Sequence, residues 1–87
     1  MMYEINTEDI DKWTNQLESA LEKIDIFDEK AVEIHSNMKA YIEDSKFFKE
    51  KGDVVRSFEA IVFASAIFDT CMQLGVFVQK VDSKNNE

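Results

Sequence analysis

The amino-acid sequence predicts an all-α domain, a three-helix bundle whose antiparallel helices run up, down and up. Its 87 residues include 2 glycines and 0 prolines, so the chain has few of the backbone breakers that a β protein needs for its turns. Apolar residues also recur every three or four positions through three long segments. We expect one domain at residues 1–78, with helices at about 7–24, 29–51 and 54–74, and a frayed polar tail at 79–87.

The first helix is expected to contact the core along one narrow stripe. Asn6 or Thr7 can cap its N-terminus, and acidic residues follow in the first turn, where the helix dipole favours negative charge. The apolar residues of the stripe span about 100° of a helical wheel. They are Ile10, Trp13, Leu17, Ala20, Leu21 and Ile24. Since the remaining surface is polar, we expect an outer helix.

The second helix is expected to begin after Asp28, which can cap it, and to contact both of its neighbours. Its inward residues, again spaced by three and four, are Ala31, Ile34, His35, Met38, Tyr41, Ile42, Ser45 and Phe48. Gly52 suits the left-handed position that ends a helix, and Asp53 can cap the next helix. Because this connection is so short, the second and third helices must be antiparallel neighbours.

The third helix has the widest apolar surface, an arc of about 220° on the same wheel. We therefore expect it to be the most buried of the three helices. Four small side chains within it predict that another helix approaches closely. They are Ser57, Ala60, Ala64 and Cys71.

The charge balance argues against two classes of partner. With 18 acidic and 10 basic residues the chain carries a net charge of −8, which repels phosphate backbones and anionic lipid headgroups. We expect no nucleic-acid partner and no membrane partner, so an RNA-linked helical module is the weakest interpretation. A single cysteine, no secretory signal and no run of about 20 uncharged apolar residues indicate a cytoplasmic protein.

The sequence contains no motif typical of an enzyme. Glycine-rich phosphate loops, the GxSxG elbow and the HExxH zinc motif are all absent. His35 and Cys71 are the single histidine and cysteine, so a zinc site within one chain would need carboxylates for its other ligands. We predict no catalytic residue, no metal and no cofactor, and we expect apolar neighbours to raise the pKa of Cys71.

Five polar residues form a candidate cluster near the turn between the second and third helices. Asp44 and Arg56 can pair across this turn, and Glu59 lies three residues after Arg56, which suits an ion pair. Asp69 lies at the margin of the apolar arc and needs a partner, for which Tyr41 is a plausible donor. The cluster is interpreted either as a network that braces the fold or as a ligand site.

Phe63 is the candidate interface residue, with Ala66 and Ile67 beside it. It falls on the polar side of the third helix, and only two other helices exist to cover that helix. Either the N-terminal leader or Phe77 folds over Phe63, or the residue belongs to an interface. We favour the interface, because exposed apolar patches on small proteins usually mark contacts and twofold dimers are the commonest assembly.

The segment from Tyr41 to Ala60 follows the pattern YxEDxKxFxxKGDxVRxFEA. Together with Ala64, Phe68-Asp69 and Leu74-Gly75 it resembles an archaeal family, domain of unknown function 357, over roughly residues 17–77. The resemblance implies a small three-helix bundle and an archaeal origin. Because the function of that family is not established, it supplies no catalytic residues.

Two functions follow from these observations. The first is a non-enzymatic protein-interaction module that forms a homodimer through the third helix and Phe63. The alternative is a protein that handles a small ligand or nucleotide with the polar cluster. A structure distinguishes them by showing whether the polar side chains converge on a pocket and whether Phe63 is covered.

Overall fold

A computed structural model describes residues 5–80 of the chain, which form three helices and a short strand pair. The helices are α1 (Thr7–Leu21), α2 (Glu29–Glu50) and α3 (Val54–Gln73). The strands β1 (Ile24–Asp25) and β2 (Val78–Gln79) pair in antiparallel fashion. The all-α fold class that the sequence predicts is therefore confirmed. Among these residues, no helix combines enough length and hydropathy to cross a membrane.

Each helix begins at a side-chain cap that can be recognised in the sequence. The caps of α1, α2 and α3 are Asn6, Asp28 and Asp53, and each accepts a hydrogen bond from a backbone N–H in the first turn that follows it. These bonds satisfy donors that the helix itself leaves without a partner. Asn6, rather than Thr7, is the cap of α1.

The helix α2 ends in the turn that the sequence predicts. Gly52 takes a positive φ of 82°, a conformation that favours glycine. The N–H of Asp53 then donates to the carbonyl of Phe48 at 2.8 Å, and the N–H of Gly52 donates to that of Lys49 at 3.0 Å. These two bonds define a Schellman motif. Because the motif leads directly into the cap of α3, the chain reverses within a few residues.

Two serines join α2 to α3 at close range. The hydroxyl of Ser45 donates to the carbonyl of Ser57 at 2.8 Å, and the hydroxyl of Ser57 donates to the carbonyl of Ser45 at 2.7 Å. Both residues are buried. Further from the turn, Tyr41 contacts Phe63. A residue nearer the start of α2 therefore meets a residue nearer the end of α3. The two helices are therefore antiparallel, and small side chains let them approach closely.

Two ion pairs on the surface show how α1 runs against α2. Lys46 Nζ lies 2.7 Å from Glu18 Oε2, and Lys49 pairs with Asp11 nearer the start of α1. The pKa of Lys46 is raised, chiefly by its hydrogen bond with Glu18. Since the partners run in opposite directions along the two helices, α1 is antiparallel to α2. The bundle therefore runs up, down and up, as predicted.

The strand pair changes two predicted boundaries. The sequence extends the first helix to residue 24, but α1 ends at Leu21, and the backbone of Ile24 pairs with β2 instead. The side chain of Ile24 is nevertheless buried. The spacing of the apolar residues therefore predicts the burial of Ile24 correctly and its helical conformation incorrectly. The prediction of a frayed tail at 79–87 is wrong for its first two residues, because Gln79 lies in β2 and the N–H of Lys80 donates to the carbonyl of Lys23 at 2.8 Å. Residues 81–87 lie outside the described part of the chain.

Each helix has four buried residues, but α3 adds five partly buried apolar side chains that pack against the core, more than either of the other helices. The prediction that the third helix is the most buried is therefore confirmed. Its apolar arc is wider than the surface that two neighbouring helices can cover, so part of the arc remains exposed. The core side chains are Ile10, Leu17, Leu21, Ile24, Ala31, Met38, Ile42, Ile61, Ala64, Cys71 and Phe77.

Candidate functional site

The part of α3 that its neighbours leave exposed forms a continuous strip, which we call the α3 face. At 100° per residue its members fall within an arc of about 140°. They are Val55, Arg56, Glu59, Val62, Phe63, Ala66, Asp69, Thr70 and Gln73, all of them exposed. Val62 and Phe63 lie near the middle of this strip along the helix, Arg56 and Asp69 lie towards its ends, and Glu59 lies one turn before Val62 and Phe63. The α3 face thus has an apolar centre.

Phe63 is the largest apolar side chain on the α3 face and is 53% exposed. Its ring meets the ring of Tyr41 edge to face, with centroids 5.0 Å apart and planes at 88°. Such pairs are favourable for aromatic rings, whose edges are positive and faces negative. Tyr41 therefore supports the ring of Phe63 from α2 while one side of that ring stays open to solvent.

The structure shows whether one of the two groups expected to fold over Phe63 does so. Phe77 does not lie over it, because Phe77 is 1% exposed in the core, with ring centroids 6.0 Å from Phe68 and 6.2 Å from His35. Residues 1–4, most of the proposed leader, lie outside the described residues. Of the two other candidate interface residues, Ala66 is exposed, whereas Ile67 is partly buried and packs against the core.

A shallow groove between α2 and α3 runs beside Phe63 and contains most of the predicted polar cluster. Tyr41, Asp44, Arg56 and Glu59 all line it, together with apolar residues of α3. Asp69 does not belong to this groove. It lines a separate depression that also includes Trp13 of α1. The structure therefore brings four of the five predicted residues to one site and places the fifth on the opposite margin of α3.

The expected pairing within the polar cluster is not formed. Arg56 Nε lies 3.5 Å from Asp53 Oδ2, and the guanidinium carbon lies 5.8 Å from the centroid of the Phe48 ring. Within residues 5–80, Asp44, Glu59 and Asp69 make no ion pair with a cation at 4.0 Å or less. Asp53 is preferred because, as the cap of α3, it already lies one turn before Arg56. The interpretation as a bracing network is therefore wrong.

Trp13 extends the apolar surface on the side of α1. Its ring centroid lies 5.4 Å from that of Phe58, and part of the side chain remains exposed. The sequence places Trp13 on the inward stripe of α1, so its contribution to the surface was missed. The spacing of apolar residues along α1 does not distinguish a residue at the edge of the core from one inside the core. Tyr41 and Trp13 thus border the α3 face with one aromatic ring on each side.

The residues best suited to catalysis or metal binding lie away from this surface. Burial, with a smaller effect from Lys39, lowers the pKa of His35, which lies against Phe77. Burial raises the pKa of the Cys71 thiol, as the sequence indicated. Within the described residues, no group of three or more histidine, cysteine, aspartate or glutamate side chains could hold a metal ion.

Comparison with known proteins gives a family and one related structure. A family model described as "Protein of unknown function (DUF357)" matches residues 12–77. The crystal structure of protein AF1782 from Archaeoglobus fulgidus, assigned to the same family, is similar to this chain with a TM-score of 0.74 and 34% identity. The similarity covers 84% of this chain and 91% of that chain. None of the curated proteins matches the sequence significantly.

Proposed function

The chain belongs to the DUF357 family, whose function is not established, and we propose that this member is a non-enzymatic interaction module that self-associates through the α3 face. The observation that carries the proposal is the exposure of Phe63 and Val62 at the centre of that face. Both side chains lie on a helix, so their positions are fixed before any partner binds. The archaeal neighbour AF1782 agrees with the origin that the sequence resemblance implies.

The energetics of such a surface favour contact with another protein. Removing apolar area from water contributes about 25 cal/mol per Å², and Phe63 is the kind of rigid aromatic residue that dominates binding energy at the centre of interfaces. A stable interface buries about 800 Å² on each partner. Tyr41 and Trp13 widen the apolar surface beyond α3 itself.

The positions of the reactive side chains support a function without catalysis. His35 lies at the strand end of the bundle and Cys71 in the core, so neither reaches the α3 face or its groove. We also propose a cytoplasmic location, which the single free cysteine supports because secreted domains of this size commonly rely on disulfides.

A small-ligand site is the second candidate function. It is favoured by one observation, that Tyr41, Asp44, Arg56 and Glu59 line a single groove. The groove is open, however, and ligand sites usually bury most of the ligand surface. Titration with a nucleotide such as ATP, followed by NMR, tests it: unchanged amide shifts at these four residues would remove this candidate.

Sedimentation equilibrium of the unmodified protein tests the leading proposal. We expect the mean mass to rise from that of one chain to that of two as concentration increases from low to high micromolar. The net charge of −8 makes two copies repel each other, and salt screens this repulsion. Dimerisation should therefore strengthen as salt is added. A protein that stays monomeric at high micromolar concentration in moderate salt would contradict self-association.

A further inference from the structure

The α3 face carries opposite charges at symmetrical positions. Arg56 lies six residues before Val62, and Asp69 lies six residues after Phe63. At 1.5 Å per residue the two charged residues are about 20 Å apart along the helix, and the point midway between them falls between Val62 and Phe63. The apolar centre of the face is thus also the centre of its charge pattern.

Neither charge is well paired among residues 5–80. The side chain of Arg56 is 66% exposed, and its contact with Asp53 reaches only 3.5 Å between Nε and Oδ2. Asp69 is exposed and makes no ion pair with the described residues. Exposed pairs such as Arg56 with Asp53 contribute little to stability. Both side chains are therefore free to pair with another molecule at little cost.

We propose that two copies of this chain pack α3 against α3 in antiparallel fashion, about a twofold axis between Val62 and Phe63, so that Arg56 of each copy pairs with Asp69 of the other. The inference rests on the proposed self-association and specifies its partner and register. The axis sets Val62 against Phe63 of the partner subunit and forms the charge pair twice.

The helical geometry is compatible with both charge pairs. Arg56 lies on the α2 side of the face and Asp69 on the α1 side, each about 70° from its centre. In the antiparallel register, Arg56 and Asp69 of the partner subunit stand at the same height along α3. Helices that cross at about +20°, a common packing class, turn these two margins toward each other. The long arginine side chain then spans the remaining gap.

The charge pattern identifies a second copy as the occupant of the face. In this register Glu59 lies opposite Ala66 of the partner subunit, so no carboxylate of the face meets another carboxylate, although the charge of Glu59 stays unpaired and weakens the contact. Cations and anions at mirrored positions make a surface complementary to itself. A strongly basic partner would have to place a positive charge against Arg56, which like-charge repulsion disfavours.

Charge reversal and mixing test the pairing. In Arg56→Asp, two carboxylates meet at each end of the interface, and in Asp69→Arg two guanidinium groups meet. We expect each variant alone to dimerise about tenfold more weakly or worse. An equimolar mixture should recover the affinity, because position 56 of one variant and position 69 of the other again carry opposite charges at both ends. Sedimentation equilibrium of the two variants and of their mixture measures this.

The possible outcomes separate the pairing from self-association itself. If both variants dimerise like the unmodified protein, or if mixing recovers nothing, the pairing of Arg56 with Asp69 is overturned while a dimer that depends on Phe63 would stand. A monomeric unmodified protein would remove both proposals. Misfolding is a minor concern, because a negative charge near the start of α3 and a positive charge near its end both suit the helix dipole. Far-ultraviolet circular dichroism checks that the helix content is retained.

Discussion

Phe63→Glu is expected to convert the proposed dimer into a monomer and to raise its dissociation constant by about a hundredfold or more. The substitution removes the largest apolar side chain from the centre of the α3 face, where Phe63 is supported by Tyr41. It also adds a second carboxylate to a contact that already contains Glu59, and no cation of the proposed register is near either of them. A buried unpaired charge is strongly unfavourable. Sedimentation equilibrium over a range of concentrations gives both dissociation constants.

Phe27→Glu is the matched control for this prediction. Phe27 is 82% exposed in the loop between β1 and α2, so the same change of residue and charge falls outside the α3 face. We expect its dissociation constant to stay close to that of the unmodified protein. Equal weakening by the two variants would show that the added charge, rather than the loss of the Phe63 contact, disrupts the dimer.

Phe77→Ala is expected to cause the largest loss of stability, about 3–5 kcal/mol. Phe77 is the largest fully buried side chain in the described residues and packs between Phe68 of α3 and His35 of α2. Its removal leaves a cavity at the end of the bundle where the strands pair. Since small domains are stable by only about 5–15 kcal/mol, this variant should unfold at a much lower denaturant concentration.

Urea denaturation at one fixed protein concentration measures this loss, because the proposed dimerisation would make stability depend on concentration. Val78→Ala is the control, as Val78 is the next residue and is exposed on β2. It should change the free energy of unfolding by about 0.5 kcal/mol or less. If Phe77→Ala were no more destabilising than Val78→Ala, Phe77 would not be the residue that stabilises the core at this end of the bundle.

The helices and their turns could be predicted because the signals that set them are local. Asp28 and Asp53 accept hydrogen bonds from N–H groups two and three residues ahead, and Gly52 adopts its left-handed conformation within the turn itself. The strand pair could not be predicted, since it joins Ile24 and Gln79 across most of the chain and each strand has only two residues. Nothing in so short a segment separates a strand from a frayed helix end.

Only part of the candidate site could be predicted, because the exposure of a helical residue depends on how the neighbouring helices pack. A helical wheel shows how wide the apolar arc of α3 is, but it does not show which part the neighbours cover. Phe63 could be identified because it lies outside the main arc, whereas Trp13 follows the inward stripe and its exposure depends on how α1 sits on α3. Proximity across the turn predicts that Arg56 pairs with Asp44. In the structure Arg56 pairs with Asp53, which is closer along the chain.

Intermolecular NMR contacts test most directly the claim that the α3 face joins two copies of this chain. In a mixture of isotope-labelled and unlabelled protein, filtered nuclear Overhauser spectra report only contacts between different molecules. We expect such contacts between the ring protons of Phe63 and the methyl protons of Val62, in a sample where sedimentation shows a dimer. A dimer whose intermolecular contacts fall elsewhere, for example at Phe27, with none at Phe63 would contradict the claim.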